Sequence, residues 1–152
     1  MQARLNAKEE SPEGMRALGT LHGFIHRCGL DQNLLELVKL RASQINGCAH
    51  CIDMHAKELR ASGETEQRIY LLNAWRESPQ YTPREQAALA WTEAITLIPT
   101  SHVPDEVYEA ARKEFSGPEL VNLTLAIVAI NGANRINIAF RTTPGSHVLA
   151  GR

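Results

Sequence analysis

The segment "NGCAHCIDMH", residues 46–55, places two cysteines and two histidines close together in the chain. If a helix begins at Cys48, Cys51 lies three residues on and His55 seven residues on. At about 100° per residue, these offsets correspond to about 300° and 700°, so the three side chains share one stripe of the helix. The spacing of the two cysteines also permits a short-loop disulfide. The segment therefore predicts a site built from thiols and an imidazole.

The expected position at the start of a helix favours thiolate chemistry. Free backbone N–H groups and the positive end of the helix dipole stabilise a cysteine anion there, and the anion is the reactive form. His55, one turn after Cys51, is placed to take the thiol proton or to deliver a proton to a leaving oxygen. We therefore predict redox chemistry at Cys48 and Cys51.

Several other sites use cysteine and histidine. Zinc needs three or four deprotonated ligands, and Cys48, His50, Cys51 and His55 supply candidates. However, His50 points away from the shared stripe and no second CxxC occurs, so we predict no metal. Covalent haem attachment requires CxxCH, but Ile52 follows Cys51. The βαβ pattern of thioredoxin-like proteins is not evident, and two buried structural cysteines beside a chance histidine remain an alternative.

The composition of the whole chain limits the class of protein. The chain has 152 residues and a formal net charge of −1, which predicts a single domain over residues 1–152 without a field that attracts nucleic acid. We find no signal peptide at the N-terminus, and the longest apolar run, Leu125 to Ile130, is too short to span a membrane. A cytoplasmic location follows, with no membrane partner. Three cysteines are an odd number, which argues against a disulfide scaffold in that compartment.

Helix signals recur along the chain and strand signals are nearly absent, so we predict an all-α fold of about seven helices. Caps, glycines and prolines delimit them. The first predicted helix begins at Ser11-Pro12 and ends at Gly29, the second runs from the Asp31 cap to Asn46-Gly47, and the third runs from Cys48 to Ser62, with Gly63 following. The fourth runs from the Thr65 cap through Trp75, and the fifth from the Thr82-Pro83-Arg84-Glu85 capping box through Ile98. The sixth runs from Val103-Pro104-Asp105 to Phe115, and the seventh from Ser116 to Phe140.

The last predicted helix and the segment after it differ in character. The helix is apolar on most sides, which predicts that it is buried, in part at a subunit interface. Residues 141–152, "RTTPGSHVLAGR", contain turn residues and few apolar ones, so we expect a loose or docking tail.

The segment Glu36 to His55, "ELVKLRASQINGCAHCIDMH", resembles the core motif of the AhpD-like alkylhydroperoxidases within the carboxymuconolactone decarboxylase superfamily. That motif is a glutamate, eleven residues, CxxC with a histidine before the second cysteine, three residues and a histidine. Here the five positions are Glu36, Cys48, His50, Cys51 and His55, without departure in type or spacing. The close resemblance covers about residues 15 to 98.

The resemblance implies an all-α AhpD-like fold, a homo-oligomer of trimeric or hexameric form, and a thiol-dependent alkylhydroperoxidase without a cofactor. By the same resemblance, Cys51 is the peroxidatic cysteine that becomes a sulfenic acid. Cys48 is the proton donor and resolving thiol, which closes a Cys48–Cys51 disulfide. Glu36 and His55 form a proton relay, and His50 lies near the site. The implied partners are a hydroperoxide and an external dithiol or disulfide reductant.

Two other functions remain open on the sequence alone. The first is a protein without turnover whose CxxC senses redox state or binds zinc. The second is a lactone decarboxylase activity of the wider superfamily, which is disfavoured because decarboxylation needs no vicinal thiols.

Glu36 lies on the helix before the Asn46-Gly47 break, so its contact with His55 requires the two helices to pack antiparallel. Cys28 is predicted to be a half-buried free thiol, and His22 and His26 to be a surface pair or a wall of the active-site cleft. We expect Trp75 and Trp91 to be core or interface residues, and we expect three asparagines of the last helix to bond across an interface or to line the cleft mouth: Asn131, Asn134 and Asn137.

Overall fold

The computed structural model describes residues 2–149, which are helical without a strand, so the predicted all-α class is confirmed. Within that range we number nine α-helices, and a 3₁₀ helix at Leu72–Glu77 follows the fifth. The α-helices are α1 Ala7–Glu10, α2 Pro12–His26, α3 Gln32–Asn46, α4 Ala49–Ala61, α5 Glu66–Leu71, α6 Pro83–Thr96, α7 Ile98–Ser101, α8 Asp105–Glu114 and α9 Gly117–Phe140.

The seven predicted helices are present, but the described residues contain more elements than seven. The fifth predicted helix was expected to continue through Ile98, whereas α6 ends at Thr96 and the short α7 is separate. Pro99 explains the break, because proline lacks an amide hydrogen and its ring clashes with the carbonyl four residues before it. The fourth predicted helix changes to 3₁₀ geometry at Leu72. The four-residue α1 was not predicted; the side chain of Asn6 caps it.

The predicted caps are largely confirmed. Asp31 accepts a hydrogen bond from the backbone N–H of Leu34 at 2.8 Å, and Thr82 and Glu85 form the expected capping box. Ser11 occupies the N-cap position of α2 without a side-chain hydrogen bond. These caps satisfy amides that have no partner inside the helix, which sets where each helix begins.

The central helix α3 packs against α4, α6 and α9. Leu35, Leu37 and Val38 of this helix are fully buried, on both sides of Glu36. Both tryptophans lie in the core as predicted, and their indole N–H groups are satisfied by Glu93 at 2.8 Å from Trp75 and by Thr124 at 2.9 Å from Trp91. A rigid α3 therefore presents the Glu36 side chain from within a closely packed layer.

Within residues 2–149, α9 is long and apolar enough to cross a membrane by length and composition alone. In the fold it packs against α2, α3, α4, α6 and α8, and 33% of its most apolar 18-residue window is buried. Leu123, Ile127 and Ile130 are buried, whereas Val121 and Val128 are exposed on the opposite side. The expected subunit interface on that exposed side stays a prediction.

An amide network joins α9 to the end of α3. The Asn46 side chain donates to the Oδ1 atoms of Asn131 at 3.0 Å and Asn134 at 2.8 Å, and Asn134 donates to the Ser43 hydroxyl at 3.0 Å. Asn131 and Asn134 were expected to bond across an interface or to line the cleft mouth, whereas the hydrogen-bond partners seen for both lie within the same chain. The network holds α9 beside the turn where α4 begins.

The tail after α9 forms no helix through residue 149 and docks on α4. Gly145 donates its backbone N–H to Asp53 at 3.0 Å, and His147 pairs with Glu58 at 2.7 Å. The last three residues of the predicted tail, 150–152, lie outside the described residues. The tail segment therefore contacts the turns of α4 that follow the cysteine pair.

Candidate active site

The cysteine pair lies where the chain turns from α3 into α4. Gly47 ends α3 in the left-handed conformation, with φ of 69°, which glycine adopts without steric cost. Cys48 is the N-cap residue of α4, and its backbone N–H donates to the carbonyl of Ser43 at 3.0 Å. This tight turn makes the two helices pack against each other, so that the start of α4 and the middle of α3 face one site.

Cys48 and Cys51 are joined by a disulfide, with their Cα atoms 5.3 Å apart. Both residues are buried. Two different donors approach the two sulfurs: the backbone N–H of Cys51 donates to Cys48 Sγ at 3.4 Å, and the side-chain amide of Asn137 donates to Cys51 Sγ at 3.4 Å. Each sulfur therefore has its own N–H group, one from the helix start and one from α9.

Glu36 and His55 are in direct contact, as the antiparallel packing of their helices requires. Glu36 Oε2 lies 2.7 Å from His55 Nδ1, and Glu36 Oε1 accepts a hydrogen bond from Lys39 Nζ at 2.7 Å. Burial by itself raises the pKa of Glu36, but the hydrogen bonds and positive charge of His55 and Lys39 outweigh it and lower that pKa to about 2. Glu36 is thus a carboxylate at any pH at which the protein is expected to work.

The carboxylate determines which ring nitrogen of His55 carries the shared proton. Because an ionised carboxylate only accepts hydrogen bonds, the proton between the two side chains belongs to Nδ1 of His55. The other ring nitrogen, Nε2, is buried and has no hydrogen-bond partner among the described residues. A buried nitrogen without a partner is costly unless another group uses it. Nε2 is therefore free to accept or donate a proton, on the stripe of α4 that carries Cys51 one turn earlier.

His50 lies between the cysteines in sequence, but its ring is engaged elsewhere. Its Nδ1 lies 3.0 Å from the carbonyl oxygen of Thr143 in the tail, and because that oxygen only accepts, Nδ1 donates. This contact ties the docked tail to the first turn of α4.

A cavity of about 440 Å³ opens beside the disulfide. Its walls come from the start of α4, the end of α9 and the first residues of the tail, including Cys48, His50, Asn137, Ile138 and Arg141. Cys48 borders this cavity, whereas Cys51 does not. A larger cavity of about 490 Å³ lies between α4 and α5 but is bordered by neither sulfur. In this disulfide form, the smaller cavity therefore leads a reactant to Cys48.

His22 is half-buried on α2, and burial lowers its pKa, as do the positive charges of Lys39 and His55. Its interpretation as a wall of the active-site cleft stays a prediction. His26 is exposed instead. Cys28 is a half-buried free thiol packed against the core, as predicted.

Lys39 and Asn137 are the two site residues whose contacts sequence reasoning missed. The spacing of Lys39 three residues after Glu36 on a helix is a usable signal for an ion pair. Asn137 had been included only among residues expected at an interface or cleft mouth, and nothing local in the sequence links it to Cys51. Within residues 2–149, no group of three or more His, Cys, Asp or Glu residues is placed to hold a metal ion.

The low pKa of Glu36 predicts a pH-dependent contribution to stability. Unfolding returns its pKa to about 4.3, so the stabilisation is complete above that value and is lost as pH falls towards the folded value of about 2. Because its side chain is only 18% exposed, we expect the free energy of unfolding of wild type to fall by about 2 kcal/mol more than that of Glu36→Gln between about pH 6 and about pH 3. Urea denaturation at each pH measures the difference. Glu109→Gln, at an exposed carboxylate on α8, is the control, and equal pH slopes for wild type and Glu36→Gln would contradict the expectation.

The fold and the motif match a known family. Residues 12–94, more than half of the chain, match the carboxymuconolactone decarboxylase family. The chain belongs to this family, and its AhpD-like features agree with the resemblance of the Glu36–His55 segment.

The chain is also similar to several individual proteins. It is 46% identical to YdfG of Bacillus subtilis, an uncharacterized protein, over 91% of this chain and 95% of that one. A shorter match of 46% identity covers 27% of this chain and 22% of the alkyl hydroperoxide reductase AhpD of Bradyrhizobium diazoefficiens. Among solved structures, a protein of unknown function from Agrobacterium tumefaciens, proposed to be the antioxidant defence protein AhpD, superposes with a TM-score of 0.93 and 44% identity, over 96% of this chain and 100% of that one.

The debrominase Bmp8 shares the fold at lower identity. It superposes with a TM-score of 0.82 and 19% identity over 91% of this chain and 74% of that one. At this identity the likeness concerns the fold alone. The AhpD-like fold therefore supports more than one chemistry, and the site residues decide which one a given chain performs.

Proposed function

We propose that the protein is a thiol-dependent alkyl hydroperoxide reductase that cycles between a Cys48/Cys51 dithiol and the Cys48–Cys51 disulfide. The observation that carries the proposal is the buried disulfide on the same helix stripe as His55, whose ring is held by the Glu36 carboxylate at 2.7 Å. A vicinal pair of thiols beside an oriented imidazole is the combination that a thiol peroxidase needs.

In the oxidative half-reaction, the Cys51 thiolate attacks the terminal oxygen of a hydroperoxide. The O–O bond breaks, Cys51 becomes a sulfenic acid, and the alcohol leaves after it gains a proton. Cys48 then attacks the Cys51 sulfur, the S–O bond breaks, and water leaves as the disulfide forms. An external dithiol reduces the disulfide and supplies two electrons and two protons for the next cycle.

His55 and Glu36 supply the proton transfers in this scheme. The Nε2 atom of His55 accepts the proton of a thiol in the site and returns it to the leaving oxygen. Glu36 keeps the ring oriented through Nδ1 and stabilises the imidazolium between the two steps. Lys39, paired with the second carboxylate oxygen, keeps Glu36 ionised. His50 borders the cavity and positions the tail beside Cys48.

The remaining parts of the proposal concern assembly and location. We propose a homo-oligomer of trimeric or hexameric form, supported by exposed apolar residues on α9 such as Val121 and Val128. A cytoplasmic location fits a cycle that depends on a reducing supply of thiols. No nucleic acid, membrane, metal or cofactor has a role in the scheme.

Turnover with a synthetic dithiol tests the proposal. Purified wild type is mixed with dithiothreitol and cumene hydroperoxide, and peroxide loss is followed together with the zinc content of the protein. The proposal predicts catalytic peroxide loss, negligible zinc, and no turnover by the double variant Cys48→Ser/Cys51→Ser, with Cys28→Ser as an active control. If the protein instead holds about one zinc per chain and its thiols are protected from peroxide, it is a zinc-binding protein without turnover. If it is free of zinc and its disulfide forms without turnover, it is a redox sensor.

A further inference from the structure

We infer that Asn137 is a catalytic residue of this site: its side-chain N–H group holds the Cys51 sulfur as an anion and makes Cys51 the sulfur that leaves when an external thiol attacks Cys48 from the cavity. The inference deepens the proposed function and rests on it for the role of the dithiol. It assigns a direction to the reductive half of the cycle, in which the two sulfurs are not equivalent.

The contact between Asn137 and Cys51 carries the first step. The side-chain nitrogen of Asn137 lies 3.4 Å from Cys51 Sγ. An amide nitrogen only donates, so the sulfur accepts, and the reverse orientation would bring the amide oxygen against the sulfur lone pairs. When Cys51 carries a full negative charge this becomes a charge-assisted hydrogen bond, which is stronger than the same contact to a neutral sulfur. The donor therefore favours the thiolate over the thiol.

The backbone of Asn137 is fixed by its surroundings. Its carbonyl accepts a hydrogen bond from the backbone N–H of Thr142 at 2.9 Å, at the end of α9. One turn earlier, Asn134 is fully buried and bonded to Asn46 and Ser43 of α3. Because these contacts hold α9 beside the start of α4, the Asn137 side chain reaches Cys51 without being part of a flexible loop.

The cavity distinguishes the two sulfurs. Both cysteines are buried, but only Cys48 borders the cavity of about 440 Å³, so an external thiol that enters this cavity in the disulfide form meets Cys48 first. Thiolates attack a disulfide at one sulfur and expel the other, and a better-stabilised anion leaves faster. The sulfur that an external thiol reaches from the cavity is therefore Cys48, so Cys51 is the sulfur that leaves, and the Asn137 side-chain N–H is placed to stabilise its negative charge.

The resulting exchange balances in atoms and electrons. The external thiolate forms a bond to Cys48 Sγ, the Cys48–Cys51 bond breaks, and its electron pair leaves with Cys51 next to the Asn137 amide. The second thiolate of the same dithiol then attacks the external sulfur of the mixed disulfide and expels Cys48. The external dithiol has become a disulfide, and the protein has gained two electrons, with the two protons of the dithiol passing to its thiols.

The first test measures the ionisation of Cys51 without any peroxide. In a Cys28→Ser/Cys48→Ser background Cys51 is the one cysteine left, so the pH dependence of its alkylation by iodoacetamide reports the pKa of Cys51. We expect Asn137→Ala to raise that pKa by about one unit, the effect of one hydrogen bond to a charged group. Asn137→Asp, of the same shape, should raise it further because a carboxylate then faces the sulfur.

Asn122→Ala is the matched control, since Asn122 lies on the same helix about 22 Å along its axis from Asn137. It should leave the pKa of Cys51 unchanged. Circular dichroism verifies that each variant is folded, and if Asn137→Ala is not, Asn137→Asp decides alone. An unchanged pKa of Cys51 in the folded Asn137 variants would overturn the assignment.

The second test identifies the attacked sulfur. Oxidised Cys28→Ser protein is treated briefly with glutathione, the freed thiol is blocked with iodoacetamide, and peptides are mapped by mass spectrometry. Glutathione on Cys48 with a blocked Cys51 is expected, by about tenfold over the reverse, and the reverse distribution would overturn the inference. Neither test uses peroxide, so a protein that passes both but fails to turn over peroxide would refute the proposed peroxidase function alone.

Discussion

Replacement of Cys51 by serine is expected to abolish turnover of hydroperoxide, with a rate at least about 10³-fold below that of wild type. A serine hydroxyl in the same place is not ionised near neutral pH, and neither the Asn137 amide nor His55 can make it a nucleophile of comparable strength. The measurement is the initial rate of cumene hydroperoxide loss with dithiothreitol as reductant. Cys28→Ser, which removes a thiol packed against the core outside the site, should retain the wild-type rate.

The companion variant Cys48→Ser should behave differently. Cys51 can still attack one equivalent of peroxide, but no second thiol is present to close the disulfide, so a sulfenic acid accumulates and can be trapped by dimedone. Trapping on Cys51 in this variant, and its loss in Cys51→Ser, would establish the order of the two cysteines. Equal peroxide consumption by wild type and both variants would show that neither sulfur reacts as assigned.

Loss of the proton relay is the second large effect. His55→Ala is expected to lower the turnover rate by about 10² to 10⁴-fold, the usual contribution of a general acid or base. Glu36→Gln should have a smaller effect, because the amide keeps a hydrogen bond to Nδ1 but no longer stabilises the imidazolium or fixes its tautomer. The relevant measurement is the rate across pH for each single variant and for the double variant.

The rates of the single and double variants show whether Glu36 acts through His55. Residues that act through each other give non-additive losses, so the double variant should be about as slow as His55→Ala alone. Glu109→Gln, on the exposed face of α8, controls for the loss of a carboxylate. If the two losses multiply in the double variant, Glu36 does not act through His55.

Much of this architecture could be predicted because its determinants are local. The Asp31 cap, the Thr82–Glu85 capping box and the glycines after α3 and α4 each act within a few residues of a helix end, and apolar periodicity identified the buried faces. The cysteines and His55 share a stripe for the same reason, since helix geometry alone relates residues three, four and seven apart. The motif from Glu36 to His55 also predicted the family to which the chain belongs.

The parts that could not be predicted depend on contacts distant in sequence. Asn137 lies 86 residues from Cys51 and meets it only because α9 crosses the start of α4. Gly145 and Asp53 are 92 residues apart in sequence, and no apolar pattern predicts their contact. The end of α6 is a different case, because apolar periodicity continues to Ile98 whereas Pro99, visible in the sequence, breaks the helix.

Oxidation of the reduced protein by a single equivalent of hydroperoxide shows whether Cys48 and Cys51 react as a pair. Fully reduced Cys28→Ser protein, freed of dithiol, is mixed with one equivalent of cumene hydroperoxide per chain, and its remaining thiols are counted and its peptides mapped. We predict that both thiols disappear together, that one equivalent of alcohol forms, and that a disulfide joins Cys48 and Cys51. Survival of both thiols with the peroxide unconsumed would contradict it.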